Sequence, residues 1–415
     1  MTGAKKARKK PEELIVYVGD ERIGILRKRD VTGIITYKYE PSASRPLSLS
    51  MPVREQLYGQ VDCMHYFEGL LPEGSKARAA IAKRHGVRAG SPFELLQAIG
   101  FECAGAVSLR KEGEVYDLDV EETVLDEETL RDLIRDLPFH PLFAGVKGVR
   151  ISLAGVQDKA AIIVREDGTF VLPQGKPSTH ILKPAIAEFR ESALNEYLTM
   201  DLASKVGVDA PSVQYRRAGD IDYILAKRFD RFISESGEIE RVHQEDFCQA
   251  LGYYPADKYE DSGGPDFIKS FKLLDRTTIP ALEKVKFLDQ IVFNYLVGNV
   301  DAHGKNFSLL HHSSVRIELA PLYDCLCLTL YQKHSTEMAM KIGDTFELTE
   351  VTKADWELFS EAVEVKYQFV KSTIAKLSFK ILAHLENWKP SSKFEDEWAA
   401  QLKKQCIDAR RRLDL

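Results

Sequence analysis

Residues 299–308 read NVDAHGKNFS, and they place a carboxylate, Asp301, five positions before an amide, Asn306. The stretch follows the apolar run 282–298, LEKVKFLDQIVFNYLVG, whose second half is apolar over most of its circumference. A run of that kind predicts a buried helix that ends at Gly298. The loop that carries Asp301 and Asn306 is therefore expected to start from a rigid element.

The chain after Asn306 is expected to bring a third polar side chain to this loop. The segments FSLLHH and RIELAPL read as two strands joined by a short turn, and antiparallel pairing puts Asp324 of PLYDC beside Asn306. Phosphoryl transfer needs such a set: one carboxylate to orient or deprotonate the attacking hydroxyl, and two oxygen ligands for magnesium. In this interpretation Asp301 is the catalytic base, and Asn306 and Asp324 are the metal ligands.

Upstream residues predict the nucleotide-binding half of such an enzyme. The segment AAIIVREDGTFVLP has the hairpin signal Asp167-Gly168 between two strands, and a third strand, THILK, ends at Lys183. A helix that contains Glu196 follows, and two more strands, SVQYRRAG and IDYILAKRF, complete the set. Kinase N-lobes have this order, with a lysine that pairs the nucleotide phosphates and a glutamate that positions it. Lys183 and Glu196 are the candidates for these two roles.

The whole chain is predicted to have an α+β fold, a protein-kinase-like bilobal arrangement preceded by an N-terminal α/β subdomain. The subdomain, residues 14–111, contains a small antiparallel sheet and two helical segments, EGSKARAAIAKRHG and SPFELLQAIG, with good capping residues. An acidic segment, residues 112–145, is expected to connect it to an antiparallel-sheet N-lobe at 146–230 and a mainly helical C-lobe at 231–415. Residues 1–13 are expected to be a flexible basic tail.

Composition and charge limit the possible functions. The 415 residues carry a net charge of -6 with a pI of about 6.0, so the chain lacks the basic footprint of an autonomous DNA-binding protein. The basic run KKARKK, residues 5–10, reads as part of the solvated tail. The six cysteines form no CxxC pair, and the sequence has neither a signal-peptide pattern nor an apolar run of membrane-spanning length. We expect a cytoplasmic protein with reduced thiols and no membrane contact.

The predicted phosphate-covering loop differs from that of a typical protein kinase. Residues 151–159, ISLAGVQDK, precede the first N-lobe strand but hold one glycine where protein kinases have G-x-G-x-x-G. The loop also contains Ser152, whose hydroxyl is in a position to be phosphorylated itself.

Three other interpretations remain open. His303, His311 and His312 could form a transition-metal site, but such sites need histidines that converge with fixed partners, and we expect His303 to stabilise its loop and the other two to lie at a strand-end surface. A small-molecule phosphotransferase of the aminoglycoside type usually has H-G-D-x-x-x-x-N, whereas Asn299 and Val300 precede the carboxylate here. A pseudokinase scaffold is disfavoured because all three polar site residues are intact.

Many motifs agree with one protein family. The chain from about Leu14 onward contains, in order, GILRK, RPLSLSMP, FEGLLPEG, PFELLQAIGFECAGAVSL, ISLAGVQDKAAI, THILKP, NEYLTMDLASKVGVDAPS, AKRFDR, HQEDFCQALG, GGP, VGNVDAHGKNFS and PLYDCLC. In this order and spacing they resemble the HipA family of bacterial serine/threonine kinases, the toxins of HipA/HipB toxin-antitoxin modules. The resemblance covers nearly the whole chain and implies a protein kinase that uses ATP and Mg2+.

The resemblance also implies roles for individual residues. Asp301 corresponds to the catalytic aspartate, Asn306 and Asp324 correspond to the magnesium-binding pair, and Lys183 corresponds to the lysine of the ATP phosphates. Ser152 corresponds to the serine that family members autophosphorylate, which expels the phosphate-covering loop and silences the kinase.

The remaining nucleotide contacts implied by the resemblance surround the adenine and the phosphates. Arg228 and Phe229 fall at the hinge that holds adenine, where family members often have a glutamate and this chain has Lys227. Gln157 and Ser152 of the phosphate-covering loop, together with Glu196, complete the candidate set of cofactor-binding residues.

The family also implies partners. Its known substrate is glutamate–tRNA ligase, and its partner is a HipB-like helix-turn-helix antitoxin dimer that binds both the kinase and the operator DNA. The negative charge of this chain fits a subunit that reaches operator DNA mainly through that antitoxin.

Overall fold

The computed structural model describes most of the chain. The described residues are 12–29, 33–114, 121–144, 146, 148–235, 237–331 and 335–415. The predicted basic run at 5–10 lies outside them, and the last two residues of the predicted tail belong to the first strand instead. Within the described ranges, no helix is long and apolar enough to cross a membrane.

The N-terminal domain contains a four-stranded antiparallel sheet with strand order β3-β2-β1-β4 and three helices. The elements are β1 (Glu12–Val18), β2 (Glu21–Lys28), β3 (Ile35–Tyr39), α1 (Gln60–Gly69), α2 (Ser75–His85), α3 (Pro92–Ile99) and β4 (Val107–Arg110). The predicted sheet and the helices α2 and α3 are confirmed, and Ser91 caps α3 as expected by accepting a hydrogen bond from the Glu94 amide. Helix α1 was not predicted, because it is buried on most sides and shows little apolar periodicity.

The N-lobe contains a six-stranded sheet with strand order β5-β7-β6-β8-β10-β9, in which the paired strands are antiparallel. Its elements are β5 (Val124–Leu125), α4 (Glu127–Asp136), β6 (Ala160–Val164), β7 (Phe170–Val171), β8 (His180–Pro184), α5 (Ser192–Val206), β9 (Val213–Ala218) and β10 (Ile221–Lys227). The five predicted strands and the helix after the third are present.

The predicted acidic connecting segment, residues 112–145, is partly built into this lobe. Strand β5 adds a sixth strand at the sheet edge, and Leu130 and Ile134 of α4 join the apolar core of the lobe. The acidic side chains of α4 face solvent. Because they are numerous, the short amphipathic helix was not predicted from the sequence.

The C-lobe is mainly helical, as predicted, and carries three small antiparallel sheets. Its elements are β11 (Arg231–Ile233), β12 (Ile239–Arg241), β13 (His243–Asp246), α6 (Phe247–Leu251), α7 (Phe267–Leu273), α8 (Pro280–Val297), β14 (Ser308–His311), β15 (Ile317–Leu319), β16 (Glu337–Ile342), β17 (Thr345–Glu347), α9 (Lys353–Ala362), α10 (Tyr367–Glu386) and α11 (Lys393–Arg412). Helix α8 is the predicted buried helix, and its second half lies in the core of the lobe.

A buried cluster of charges joins the N-terminal domain to the hinge between the lobes. Glu102 of the N-terminal domain pairs with Arg228 and Arg231, which also pair with Asp230, and the side chains of these four residues are at most 4% exposed. Arg228 holds Asp230 with two hydrogen bonds of 2.9 and 2.7 Å, and Arg231 donates to Glu102 over 3.1 Å. Each buried charge faces an opposite one, which is the condition for tolerating charges away from water.

Gly105 brings the two backbones together beside this cluster. Its amide donates to Asp230 Oδ2 over 2.8 Å, and its carbonyl accepts from Arg231 Nη1 over 2.9 Å. Gly105 has a φ of 65°, and a Cβ atom there would lie 2.3 Å from the Gln244 amide nitrogen. Glycine is therefore required both for the left-handed backbone and for the close approach.

Replacing Asp230 by alanine should lower the free energy of unfolding by about 3–5 kcal/mol, because Arg228 and Arg231 would remain buried with too little opposing charge. The measurement is urea-induced unfolding followed by circular dichroism. Asp220→Ala is the matched control: Asp220 pairs with Arg135 on the surface, so its loss should cost less than about 1 kcal/mol. Equal losses in the two variants would contradict a structural role for the buried cluster.

Candidate active site

A cleft of about 1070 Å³ lies between the two lobes, and the N-terminal domain closes one of its sides. Its walls include Lys183 and Glu196 of the N-lobe, Asp301 and Asp324 of the C-lobe, and Glu73 of the N-terminal domain. Clefts of this size, lined by apolar surface and a few charged groups, are the usual sites of small ligands. All three parts of the fold therefore contribute to one site.

The stretch at 299–308 forms a compact loop directly after α8. The amide of His303 and the side-chain amide of Asn306 both donate to the carbonyl oxygen of Asp301, over 2.8 and 2.9 Å. The Tyr259 hydroxyl donates to Asp301 Oδ1 over 2.9 Å. The five-residue spacing between Asp301 and Asn306 thus closes the loop on itself and aims both side chains at the cleft.

Gly304 lets this loop lie against the segment that contains Gly264 and Pro265. A Cβ atom on Gly304 would lie 2.6 Å from Pro265 Cγ and 2.9 Å from Cys248 Sγ. These contacts are too short for any side chain, so the glycine of DAHGKN is fixed by packing rather than by chemistry.

The predicted hairpin brings Asp324 to the same cleft. Strands β14 and β15 pair with Leu309 opposite Leu319, and the Tyr323 hydroxyl donates to the carbonyl oxygen of Lys305 over 2.7 Å. Asp324 has a φ of 57°, in the left-handed region that few residues other than glycine adopt. Backbone conformations of this kind concentrate at functional sites, where the surrounding contacts enforce them.

Lys183 joins the N-lobe to the C-lobe across the cleft. Its Nζ atom lies 2.7 Å from Glu196 Oε1 and 2.5 Å from Asp324 Oδ1. Burial alone would lower the pKa of Lys183, but the charges of Asp324 and Glu196 outweigh it and raise the pKa, so the amine stays charged. Burial alone would raise the pKa of Asp324, but the positive charge of Lys183 outweighs burial, and the pKa of Asp324 is lowered.

The C-lobe fixes the helix that carries Glu196. The neighbouring Asn195 donates to the carbonyl oxygen of Cys327 over 3.0 Å and accepts from the Cys327 amide over 2.9 Å. Cys327 lies three residues after Asp324, so one side chain sets the distance between α5 and the segment of Asp324. This contact holds the helix that carries Glu196 beside the segment of Asp324.

Lys159 is a site residue that was not predicted from the sequence. Its amine donates to the carbonyl oxygen of Ala154 over 2.7 Å and lies partly buried in the cleft, close to Asp324 and Lys183. Burial, together with the charge of Lys183, lowers the pKa of Lys159 to about 8. Its place at the end of the loop ISLAGVQDK, just before β6, was the available signal.

The two candidates in the phosphate-covering loop differ in position. Gln157 lines the cleft, and its side-chain amide donates to the carbonyl oxygen of Pro184 over 3.0 Å. Ser152 is completely buried, and its hydroxyl donates to the carbonyl oxygen of Leu70 over 2.6 Å while its amide donates to that of Glu102 over 2.8 Å. In this conformation Ser152 is therefore not a nucleotide contact, because the N-terminal domain covers it.

The two hinge candidates also differ. Phe229 lines the cleft, and its ring centroid lies 5.4 Å from that of Tyr323. Arg228 lines the cleft too, but its guanidinium is engaged by Asp230 and Glu102, so a contact with adenine at this position would come from the backbone, and its place in the hinge stays a prediction. The sequence does not show this use of the Arg228 side chain, because its partner Glu102 comes from another domain.

The histidines do not form a common site. His303 is buried with its ring edge-on to that of Tyr259, and burial lowers its pKa to about 3, so it stays neutral. His311 is not at the surface as expected: it is buried and lies 2.8 Å from Glu245. Exposed His312 lies 3.4 Å from Glu318, and the described ranges contain no group of three His, Cys, Asp or Glu residues suited to a metal ion.

Comparisons with known proteins agree with this architecture. The family model for the HipA-like C-terminal domain matches residues 151–385, and the model for the HipA N-terminal domain matches residues 14–110. Y4mE of Sinorhizobium fredii is 41% identical over 339 residues, 80% of each chain. The serine/threonine-protein kinase toxin HipA of Shewanella oneidensis is 28% identical over 384 residues, 89% of this chain and 87% of the relative.

A solved structure matches almost the full length of the chain. HipA of Shewanella oneidensis MR-1, in complex with HipB and operator DNA, superposes with a TM-score of 0.84 at 26% identity, covering 97% of this chain and 98% of the other. The match includes the N-terminal domain and both lobes. This protein therefore belongs to the HipA family of serine/threonine-protein kinase toxins.

Proposed function

We propose that this protein is a Mg-ATP-dependent serine/threonine protein kinase that acts as the toxin of a toxin-antitoxin module. The observation that carries the proposal is the convergence of Lys183, Glu196 and Asp324 with the loop of Asp301 and Asn306 on one cleft. Phosphoryl transfer depends on positioning and on charge stabilisation, and this set of side chains supplies the groups for both.

Each side chain has a role that follows from its place. Asp301 orients the attacking hydroxyl and accepts its proton, because its carboxylate lies at the cleft on a loop held by two hydrogen bonds to its own carbonyl. Lys183, which stays charged, holds the nucleotide phosphates, and Glu196 fixes the lysine. Gln157 and Phe229 line the same cleft and complete the nucleotide site.

The residues at the cleft also fit magnesium. Asn306 and Asp324 offer an amide oxygen and a carboxylate, which are the hard oxygen ligands that magnesium prefers. The lowered pKa of Asp324 keeps this carboxylate ionised, as a metal ligand requires. When bound, magnesium neutralises charge on the phosphate oxygens during transfer.

Self-phosphorylation at Ser152 would silence the enzyme. The Ser152 hydroxyl is buried against the Leu70 carbonyl, so the segment must first leave this place to reach Asp301, and a phosphate could not return to it. Two added negative charges would also be repelled from the phosphates of bound ATP. Ser152 is therefore proposed as a switch that acts by removing the phosphate-covering loop from the cleft.

The proposed partners follow the relatives. The solved relative is bound to HipB and operator DNA, so we assign a HipB-like helix-turn-helix antitoxin dimer as the partner of this chain. With a net charge of -6 the kinase would reach operator DNA mainly through that dimer. Glutamate–tRNA ligase is the proposed substrate, on the family resemblance.

Incubation with Mg-ATP, followed by intact-mass and peptide mass spectrometry, tests the catalytic assignment. Wild type should gain one phosphate at Ser152 and should phosphorylate purified glutamate–tRNA ligase. Asp301→Asn should lower both rates by about 10²–10⁴-fold, because the variant cannot accept the proton of the attacking hydroxyl.

The matched control for this experiment is Asp275→Asn, which changes a surface carboxylate that pairs with Lys284 and should leave both rates unchanged. Transfer that survives Asp301→Asn would overturn the assignment of the base. Wild type that binds nucleotide but transfers no phosphate to either target would indicate a binding scaffold instead.

The affinity for Mg-ATP should fall as pH rises above about 8. Lys159 is charged below its pKa of about 8 and neutral above it, so its attraction for phosphate is lost on the alkaline side, by up to about tenfold per pH unit. Titration with a fluorescent ATP analogue between pH 7 and 9 measures this. Lys159→Arg, which keeps its charge, should flatten the profile, and an unchanged profile would mean that another group titrates.

A further inference from the structure

The segment at residues 69–77 of the N-terminal domain reaches into the catalytic cleft. In this segment the backbone amide of Glu73 donates to the carbonyl oxygen of Gly155 in the phosphate-covering loop over 3.2 Å. The Glu73 carboxylate points the other way, toward the C-lobe. Glu73 thus contacts both walls of the site, although the kinase roles described above leave it unused.

Two lysines of the C-lobe surround the Glu73 carboxylate. Lys258 Nζ lies 2.9 Å from Glu73 Oε2, and both side chains are 13% exposed. Lys305 Nζ lies 3.9 Å from Glu73 Oε1 and 2.6 Å from Asp246 Oδ2. Because these charges are largely shielded from water, their attraction is stronger than that of a surface ion pair.

Lys258 connects Glu73 to the catalytic loop. The carbonyl oxygen of Lys258 accepts a hydrogen bond from the Gly304 amide over 3.2 Å, so its backbone lies against the loop. The next residue, Tyr259, donates its hydroxyl proton to Asp301 Oδ1 over 2.9 Å. The Tyr259 ring also packs edge-on against His303, with ring centroids 5.2 Å apart.

Tyr259 is suited to donate and not to react. Burial, followed by the negative charge of Asp301, raises the pKa of Tyr259, so the hydroxyl keeps its proton. A hydrogen bond from a hydroxyl to an ionised carboxylate is stronger than one between neutral groups, and it is directional. It therefore fixes the rotation of the Asp301 side chain relative to the cleft.

We infer that Tyr259 is a positioning residue for Asp301 and that Glu73 of the N-terminal domain holds Tyr259 in place through Lys258. The N-terminal domain is then part of the catalytic apparatus as well as a structural unit. This inference deepens the proposed kinase function and rests on it for its effect on turnover.

Single-turnover phosphate incorporation at a series of ATP concentrations tests the role of Tyr259. Tyr259→Phe should lower the maximal rate by about tenfold or more, the effect of losing one hydrogen bond to a charged group, with little change in the half-saturating ATP concentration. A residue of merely structural importance would change both values or the melting temperature. Tyr253→Phe, in the same segment, is the matched control and should leave the rate unchanged.

Hydrogen exchange tests the connection to Glu73 without any turnover. In Glu73→Gln the peptide that covers residues 299–306 should exchange roughly tenfold faster, because Lys258 loses its anchor and the Gly304 amide loses its fixed acceptor. Glu68→Gln is the control: Glu68 pairs with Arg78 inside the N-terminal domain and should not affect this peptide.

The outcomes separate the two proposals. Unchanged exchange at 299–306 in Glu73→Gln, or an unchanged maximal rate in Tyr259→Phe, would overturn the inference while the kinase function stands. Wild type without phosphate transfer would overturn the kinase function, and the exchange experiment would still decide whether Glu73 holds the catalytic loop.

Discussion

The buried charge cluster at the hinge is the contact on which the arrangement of the three parts depends. Glu102 comes from the N-terminal domain, and Arg228, Asp230 and Arg231 come from the chain between the lobes. Charges removed from water are tolerated only when their partners lie in one particular geometry. The N-terminal domain therefore has one favourable way to dock, and Gly105 allows the backbone to approach closely enough.

That docking places other parts of the N-terminal domain at the cleft. The carbonyl oxygen of Leu70 accepts a hydrogen bond from the Ser152 hydroxyl. Glu73 contacts the phosphate-covering loop through its backbone amide and pairs through its carboxylate with Lys258 beside the catalytic loop. The same surface thus holds the proposed self-modification site in a protected state and supports the proposed catalytic base. Release of the phosphate-covering loop would break its contacts with the N-terminal domain and with the cleft at the same time. Activity therefore depends on the same contacts that hold the N-terminal domain to this loop.

Electrostatics inside the cleft are balanced across the two lobes. Lys183 lies between an N-lobe and a C-lobe carboxylate, and Asn195 fixes α5 to the segment that follows Asp324. Lys159 adds a second amine, whose pKa is lowered to about 8. A cleft with two amines beside two carboxylates is suited to bind a polyanion together with a cation, since each sign of charge finds its opposite there.

The sequence alone determined the elements and the positions whose chemistry depends on local spacing. The helix before Asp301, the hairpin that delivers Asp324, the strand that ends at Lys183 and the helix of Glu196 follow from periodicity and turn residues, which report on contacts a few positions apart. The ordered motifs in which the chain resembles the HipA family cover almost its whole length.

Only the tertiary structure decided which distant residues share a site. Two such contacts are those of Tyr259 with Asp301 and of Glu73 with Lys258, the second across a separation of 185 positions. Neither contact produces a periodic pattern in the sequence. The burial of Ser152 and the use of Arg228 in an ion cluster were equally hidden, because each depends on a partner from another domain. Local sequence patterns do not predict these contacts, because the contacts form when the surfaces of different domains dock and exclude water.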